Sequence, residues 1–320
     1  MQLLHAPGDL PPAGGKVCLA IGVFDGVHLG HQQVIRQTVT DAAQQETRAV
    51  VITFDRHPNA VVAPARVPPL IYSGPQKLRA LAALGADAVW QIPFDEAFSR
   101  RTAEEFIRGL VREFGPVHSI CVGHDFHFGA KRGGNVELLR RLGRDLGFQV
   151  HGLAAVALDG QPMSSTRIRA AIVAGQLDEA SQMLGRAYAL AGTVVRGRQL
   201  GRQLGFPTAN LETAGLALPP VGVYAIHALA QGKQWRGVLN LGWRPTLDQP
   251  APSLHVEAHL LDFIGDLYGQ ELEITFVKKL RDEQKFPSLA ALQEQIAHDV
   301  TVARRLFAGA GATPPSSSVS

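Results

Sequence analysis

At 320 residues and 46% hydrophobic content, the chain is long enough for two domains with full apolar cores. Two cysteines exclude a disulfide scaffold, and neither an apolar leader in residues 1–16 nor a membrane-length apolar run is seen, so the expected location is the cytoplasm. Lysine and arginine (31) barely exceed aspartate and glutamate (28), and the short clusters Lys131-Arg132, Arg140-Arg141 and Arg304-Arg305 do not alternate with aromatics, so no nucleic-acid partner is expected.

Residues 1–160 alternate apolar strand patterns (17–21, 48–54, 88–92, 117–122 and 148–156) with helical ones (33–44, 76–84, 103–114 and 135–146). Such alternation predicts a Rossmann-like parallel sheet covered on both faces, with its ligand beyond the carboxyl ends of the strands. The first strand runs into Gly22-Val23-Phe24-Asp25-Gly26-Val27-His28-Leu29-Gly30-His31 and then a helix. The N–H groups of a first helical turn and three glycines that admit close approach suit a phosphate, to which His28 and His31 add side-chain donors. The spacing is not that of commoner phosphate loops. Neither Gly15-Lys16 nor Gly232-Lys233 precedes Ser or Thr, and Gly22, Gly26 and Gly30 are four apart rather than G-x-G-x-x-G. Zinc lacks partners, since Cys18 and Cys121 form no ligand pair.

The segments after the later strands are polar. They are Thr53-Phe54-Asp55-Arg56-His57-Pro58, the glycine-rich run 123–134, and Met163-Ser164-Ser165-Thr166-Arg167-Ile168-Arg169 opening a helix. Ser164, Ser165 and Thr166 offer hydroxyls and N–H groups to phosphate, with Arg167 or Arg169 as charge; helix capping is the plainer reading of the same serines. A short helical piece, 177–184, ends at Gly185, and a domain boundary is expected there, dividing 1–185 from 186–307.

G-x-F-D-G-V-H-x-G-H, T-F-D-x-H-P, G-x-D-F-x-F-G-x-x-R-x-G and S-S-T-R-I-R together resemble the adenylyltransferase module of the bacterial bifunctional riboflavin kinase/FMN adenylyltransferases, the FAD synthetases. The resemblance implies that the phosphate of FMN attacks the α-phosphorus of ATP and releases pyrophosphate. His28 and His31 would stabilise the charge growing on the phosphates. Gly22, Phe24, Asp25, Gly26, Gly30, Ser164, Ser165, Thr166 and Arg167 would hold ATP, while His57 and Asp125 would neighbour the flavin, His57 having a cap before Pro58 as its other reading. This chain carries Arg56 where the family usually has Pro, Met163 for Ile, Ile71-Tyr72-Ser73 for Leu-Thr-Thr, and Gln76 for Glu before Lys77.

The second half has short strand patterns (188–195, 222–230, 235–241, 254–261 and 271–276) with turn signals, which predict a small antiparallel barrel. A C-terminal helix at 288–307 closes it, with Leu289, Leu292, Ile296, Val300 and Ala303 along one stripe; residues 308–320 are too poor in core formers to fold and are expected as a disordered tail. In Gly197–Asn210 the glycines permit a nest of backbone N–H groups, and Thr208 and Asn210 present hard oxygens from one side of an extended chain, which suits Mg²⁺ carried on a triphosphate. Read alone, the loop is only suggestive, with a turn and a capping Thr as its plainer but less favoured reading.

G-R-x-L-G-F-P-T-A-N, G-V-Y, N-x-G-x-R-P-T, E-x-H-x-x-D-F and D-L-Y-G resemble the riboflavin kinase module of the same family. By that match Gly201, Gly205, Pro207, Thr208 and Asn210 hold ATP with Mg²⁺. Glu257 falls on the base that takes the proton of the ribityl 5′-hydroxyl, and Arg281 neighbours the flavin in a loop able to close over the site. The expected partners are riboflavin, FMN, FAD and ATP, with no membrane and no signature of a particular oligomeric state. Two other readings stand beside this one: a nucleotide-binding regulator whose barrel docks on RNA or protein, and an adenylyltransferase of another acceptor.

Overall fold

The computed structural model describes residues 1–10, 15–197, 199–244 and 253–309. They form two compact units, Met1–Ala171 with Glu179–Arg186, and Ile172–Asp178 with the chain from Ala187 onward.

The first unit contains strands β1 (Gln2–Leu4), β2 (Val17–Ile21), β3 (Arg48–Phe54), β4 (Ala88–Ile92), β5 (Val117–Gly123) and β6 (Gln149–Leu153). They lie in the order β1-β4-β3-β2-β5-β6, and all their pairings are parallel. From β2 the chain steps outward through β3 and β4, then returns to the other side of β2 with β5 and β6. The carboxyl end of β2 is therefore where the strand order reverses, the usual place for a ligand.

Helices α1 (Leu29–Gln44), α2 (Asn59–Val62), α3 (Gly74–Ala82), α4 (Glu96–Ser99), α5 (Ala103–Phe114) and α6 (Val136–Leu146) fill the connections. Side chains of Ser73, Thr102 and Asn135 accept a first-turn N–H and fix the starts of α3, α5 and α6. The pleat sorts the strands into two cores. Leu19, Ile21, Val50 and Ile52 meet α5 and α6 through Phe106, Ile107 and Leu139. Ala20, Val51 and Val89 meet Val34, Ile35 and Leu81 of α1 and α3. A two-strand ladder of β7 (Ala157–Leu158) and β8 (Gln161–Pro162) precedes α7 (Ser165–Val173) and α8 (Leu177–Leu184). Strand β1, three residues paired to β4, was not expected, because so short a run has no periodicity to read.

The second unit holds β9 (Ala189–Val195), α9 (Leu200–Gln203), β10 (Ala209–Leu211), β11 (Gly222–Ala230), β12 (Lys233–Arg244), β13 (Ser253–Leu260), β14 (Glu271–Arg281) and α10 (Leu289–Gly309). The strands close into a barrel in the order β10-β13-β12-β11-β14-β9. Strand β10 is the one the sequence pattern misses, and it completes the barrel by pairing antiparallel with both β13 and β9. Leu190, Ile226, Leu239, Leu241, Val256 and Ile274 fill the interior. Ala303 and Phe307 of α10 pack outside, on Val223, Ala225 and Val238. The expected stripe begins too early: Leu289 is 59% exposed, whereas Leu292, Ile296 and Val300 face a cavity. Helix α10 runs two residues past Phe307, into the expected tail; residues 310–320, and Pro245 and Thr246 of the N-x-G-x-R-P-T motif, lie outside the described residues.

Candidate active sites

In the first unit, β2 ends in a strained turn. Phe24 (φ 52°), Gly26 (φ 76°) and Val27 (φ 43°) all take left-handed backbone. For a β-branched Val this costs on the order of 1–3 kcal/mol and persists only where the surroundings enforce it. Phe24 is buried, with its ring against the Cα of Gly22, where a Cβ would lie 2.9 Å from it. Of the residues expected to hold ATP, Phe24 therefore contributes backbone only, because its ring belongs to the core beneath the turn. Asp25 is likewise internal, 4% exposed. Its carboxylate accepts from the amides of Ile71 (3.0 Å) and Tyr72 (3.3 Å) and pairs with Arg169 at 2.8 Å.

The two histidines meet on the first turn of α1. Their rings stack at 3.6 Å between centroids, and Nδ1 of His28 accepts the His31 N–H at 3.4 Å. That bond leaves the His28 proton on Nε2. Burial, then the Arg186 guanidinium, hold the His28 imidazole down at about 4. Burial, His28, Arg169, Arg186 and Lys77 hold His31 well below its ordinary value. Both are neutral donors at pH 7. His31 Nδ1 is sealed from solvent with no partner among the described residues, a deficit of about 1–3 kcal/mol that a merely structural histidine does not carry. Gly30 leaves room for the stack, since a Cβ there would meet the His28 ring at 3.2 Å and press it aside by a few tenths of an ångström.

Helix α7 starts beside this turn. Ser164 Oγ accepts the Arg167 N–H at 3.2 Å, so the capping reading holds for it. Ser165 Oγ donates to the Asp25 carbonyl at 3.1 Å, and Thr166 is exposed. Arg167 does not face the turn. Its guanidinium binds Glu179 at 2.7 Å and the Leu158 and Gln161 carbonyls. The cations near enough to act on the histidines electrostatically are Arg169, Arg186 and Lys77; Arg186 and Lys77 were not among the expected site residues. Lys77 Nζ donates to Thr53 Oγ1 (3.3 Å) and the Phe54 carbonyl (2.9 Å) at the end of β3. Burial pushes its pKa down.

Next to the turn lies a cavity of about 380 Å³ that reaches Ile21 and Val23 on either side of Gly22. Its walls include Phe54, Phe94, Phe98, Phe126 and Phe128, and its rim Arg101, Lys131 and Arg132. His57 lines it too, while its Nδ1 accepts the Asn59 N–H at 3.1 Å, so the cap and the cavity wall coexist. Asp125 is exposed and close enough to act on His28 electrostatically. The aromatic walls are a feature that the sequence reading missed; Phe54, Phe126 and Phe128 already stood in the quoted motifs.

In the second unit, a cavity of about 220 Å³ separates the barrel from α10 and brings together Gly201, Thr208, Glu257 and Arg281. Val256 and Ala258 point into the barrel core, so Glu257 points out. It sits in register with Asn210 on one neighbour strand and Asn240 on the other, and Asn240 also lines the cavity. Asn210 packs its amide on Gly197, where any Cβ would lie 2.5 Å from it. Gly201 lies over Phe206–Thr208, where a Cβ would fall 2.4 Å from the Phe206 carbonyl and 3.1 Å from Thr208 Oγ1. Gly205 turns the chain with φ 86°, and the Pro207 carbonyl pairs with His259 Nδ1 at 2.8 Å. Arg281 is not in a loop: it ends β14, gripped by Asp299 of α10 at 2.8–3.0 Å. A second cavity, about 500 Å³, opens against Pro207, Phe263 and Tyr268, and among the described residues Thr208 alone lines both.

The chain matches the family model for FAD synthetase over residues 11–167 and that for riboflavin kinase over 184–307. It is 38% identical to the bifunctional riboflavin kinase/FMN adenylyltransferase of Pseudomonas fluorescens, over 96% of this chain and 98% of that protein. The Escherichia coli K12 protein of the same description is 38% identical over 98% and 100%, and that of Haemophilus influenzae 37% over 96% and 99%. A crystal structure described as a macrolide-efflux protein from Streptococcus pneumoniae superposes with a TM-score of 0.77 at 28% identity, covering 94% of this chain and 98% of that one. Among the described residues, no helix here is long and apolar enough to cross a membrane.

Proposed function

Because the chain belongs to the family of bifunctional riboflavin kinase/FMN adenylyltransferases and carries both activities, we propose that the histidine turn of the first unit makes FAD and the Glu257 cavity of the second makes FMN. The division of labour falls close to Arg186, which packs with the first unit, with ATP as co-substrate on each side and the cytoplasm as location, in keeping with two buried free cysteines.

In the first unit the aromatic cavity takes the flavin ring, and the rim cations attract its phosphate. A phosphate oxygen of FMN forms a bond to the α-phosphorus of ATP as the bond to the β-phosphate breaks, and pyrophosphate leaves with both electrons. The nucleophile is already an anion, so no base is required. His28 and His31 donate to oxygens whose charge grows, and Arg169, Arg186 and Lys77 supply a fixed positive field.

In the second unit the observation that carries the assignment is the position of Thr208, shared by two cavities of which one holds Glu257. We place the triphosphate in the larger cavity and riboflavin in the smaller, so that the γ-phosphorus reaches the 5′-hydroxyl at Thr208. The hydroxyl oxygen bonds to phosphorus, ADP departs, and Glu257 receives the proton. Thr208 and Asn210 offer neutral oxygens, and among the described residues no group of three His, Cys, Asp or Glu side chains is placed to hold a metal. That donor set fits Mg²⁺ arriving on the triphosphate, whose charge it would screen.

The test is product chromatography of the full chain with ATP. His31→Ala should accumulate FMN and make no FAD; Glu257→Ala should make no FMN yet convert supplied FMN to FAD. Loss of both steps in one folded variant overturns the separate-site assignment.

A further inference from the structure

Arg186 is the last residue of the first unit, and its guanidinium is almost fully engaged there. Nη2 donates to the Gly26 carbonyl at 2.7 Å, Nη1 to the Val27 and Leu184 carbonyls at 3.1 and 3.0 Å, and Nε to the Tyr72 hydroxyl at 2.9 Å. The Tyr72 ring also lies under it, 5.0 Å from its carbon. The buried amide of Gln32, one turn into α1, repeats half of this pattern. Its Nε2 donates to the same two carbonyls, Val27 at 3.0 Å and Leu184 at 2.8 Å. Two donors and two acceptors thus form a closed ring around the residue with the most strained backbone in the turn. Gly185 makes the approach possible: its φ is 70°, and a Cβ there would fall 2.5 Å from Leu29 of α1.

We propose that Arg186, paired with Gln32, is the positioning residue of the histidine turn, holding the Gly26 and Val27 carbonyls so that the following amides and the two histidines face the triphosphate. Each peptide is planar and trans, so a carbonyl held toward Arg186 turns the next N–H the opposite way. With four of its five N–H groups already engaged, Arg186 acts through the turn rather than on the substrate. Tyr72 adds both a hydrogen-bond acceptor and a ring face to the device. The proposal rests on the assignment of FAD formation to this turn.

The experiment uses the full chain with Arg186→Lys, Arg186→Gln and Tyr72→Phe, with His31→Ala alongside. FAD formation from supplied FMN is measured against pH; riboflavin phosphorylation in the same preparation reports folding of the second unit, and the fluorescence of Trp90, in a chain with Trp235→Phe and Trp243→Phe, that of the first. Arg186→Lys should lower kcat for FAD roughly 10- to 100-fold with KM for FMN little changed, because one ammonium cannot span two carbonyls and a hydroxyl. Arg186→Gln should lose as much and also move the acid limb of the profile to higher pH, since a cation beside His28 and His31 is gone; Lys should leave that limb in place. Tyr72→Phe should cost less than either. Wild-type kcat in Arg186→Lys overturns the proposal, and so does an unmoved acid limb in Arg186→Gln. If Arg186→Gln does not fold, Arg186→Lys and Tyr72→Phe decide by the same kcat criterion. Should FAD formation survive in His31→Ala, it is the site assignment that fails; its loss there beside intact Arg186 variants rejects the clamp alone.

Discussion

Around the stacked histidines of the first unit the cations are Arg169, Arg186 and Lys77, with the exposed carboxylate of Asp125 near His28, and the buried carboxylate of Asp25 is tied to Arg169 and two amides. In the second unit a carboxylate, Glu257, lies between two asparagines in a cavity wall, and the nearby Arg281 is held by Asp299. The contrast follows from the nucleophiles. A phosphate oxygen arrives deprotonated and needs its charge and its leaving group's charge balanced, whereas an alcohol must lose a proton during transfer. The backbone differs in the same sense. The first site uses a turn with three consecutive-neighbourhood residues at positive φ, and the second hangs its base on a regular strand, where position is set by barrel register.

The contrast is broken most directly by removing carboxylates. Glu257→Gln should lower kcat for riboflavin phosphorylation about 10²- to 10⁴-fold. Asp125→Asn, the exposed carboxylate near His28, should change FAD formation by less than about tenfold, since no base is lost. Equal losses in initial-rate measurements would mean that both reactions need a carboxylate. Glycine substitutions give a smaller effect. Gly201→Ala puts a methyl 2.4 Å from the Phe206 carbonyl and 3.1 Å from Thr208 Oγ1, so phosphorylation should fall roughly 10- to 100-fold with FAD formation unchanged. Gly30→Ala, whose methyl meets a ring at 3.2 Å rather than a carbonyl, should slow FAD formation by only a few-fold; the reverse order would show the histidine stack to be the less tolerant site.

Arg167 separates stability from catalysis. Arg167→Gln loses the Glu179 pair and two carbonyls, and should destabilise the first unit by about 1–3 kcal/mol in urea unfolding while leaving kcat for FAD within about twofold. A large fall in kcat at wild-type stability would return Arg167 to the ATP site. The same residue shows what a sequence can and cannot tell. On a helix, positions 167 and 169 point about 200° apart, so only one faces the turn, and the sequence does not say which. Strands β2, β3 and β4 of the first unit were legible because apolar residues dominate each of them, and the histidine turn because its glycines and histidines lie close together in sequence. Strand β10 was not, as three residues after a proline carry no alternation and its pairing with β9 and β13 is set by barrel closure. Nor was Arg186, which meets Gly26 across 160 residues and carries no local pattern.

The smallest effect is a pH dependence of stability centred, in the first unit, on His28. His28 is neutral when folded, with a pKa near 4 set first by burial, against an ordinary 6.5. Between those values the unfolded chain binds the proton and the folded chain does not, so stability falls as pH is lowered from about 6.5 toward 4. One such group accounts for about 1 kcal/mol between pH 7 and 5.5 and about 3 kcal/mol by pH 4. Protonation of Nδ1 also removes the acceptor that caps α1. Asparagine caps well and does not titrate, so His28→Asn should flatten this slope in the first unit, followed by Trp90 fluorescence in a chain with Trp235→Phe and Trp243→Phe. In the second unit His227, whose imidazole burial and then Arg236 hold low, should give an acid slope of its own that His28→Asn leaves unchanged. A slope unaltered by His28→Asn would assign the acid sensitivity to His31 or His57, whose imidazoles burial also holds low, and would place the vulnerable proton one step away from the helix cap.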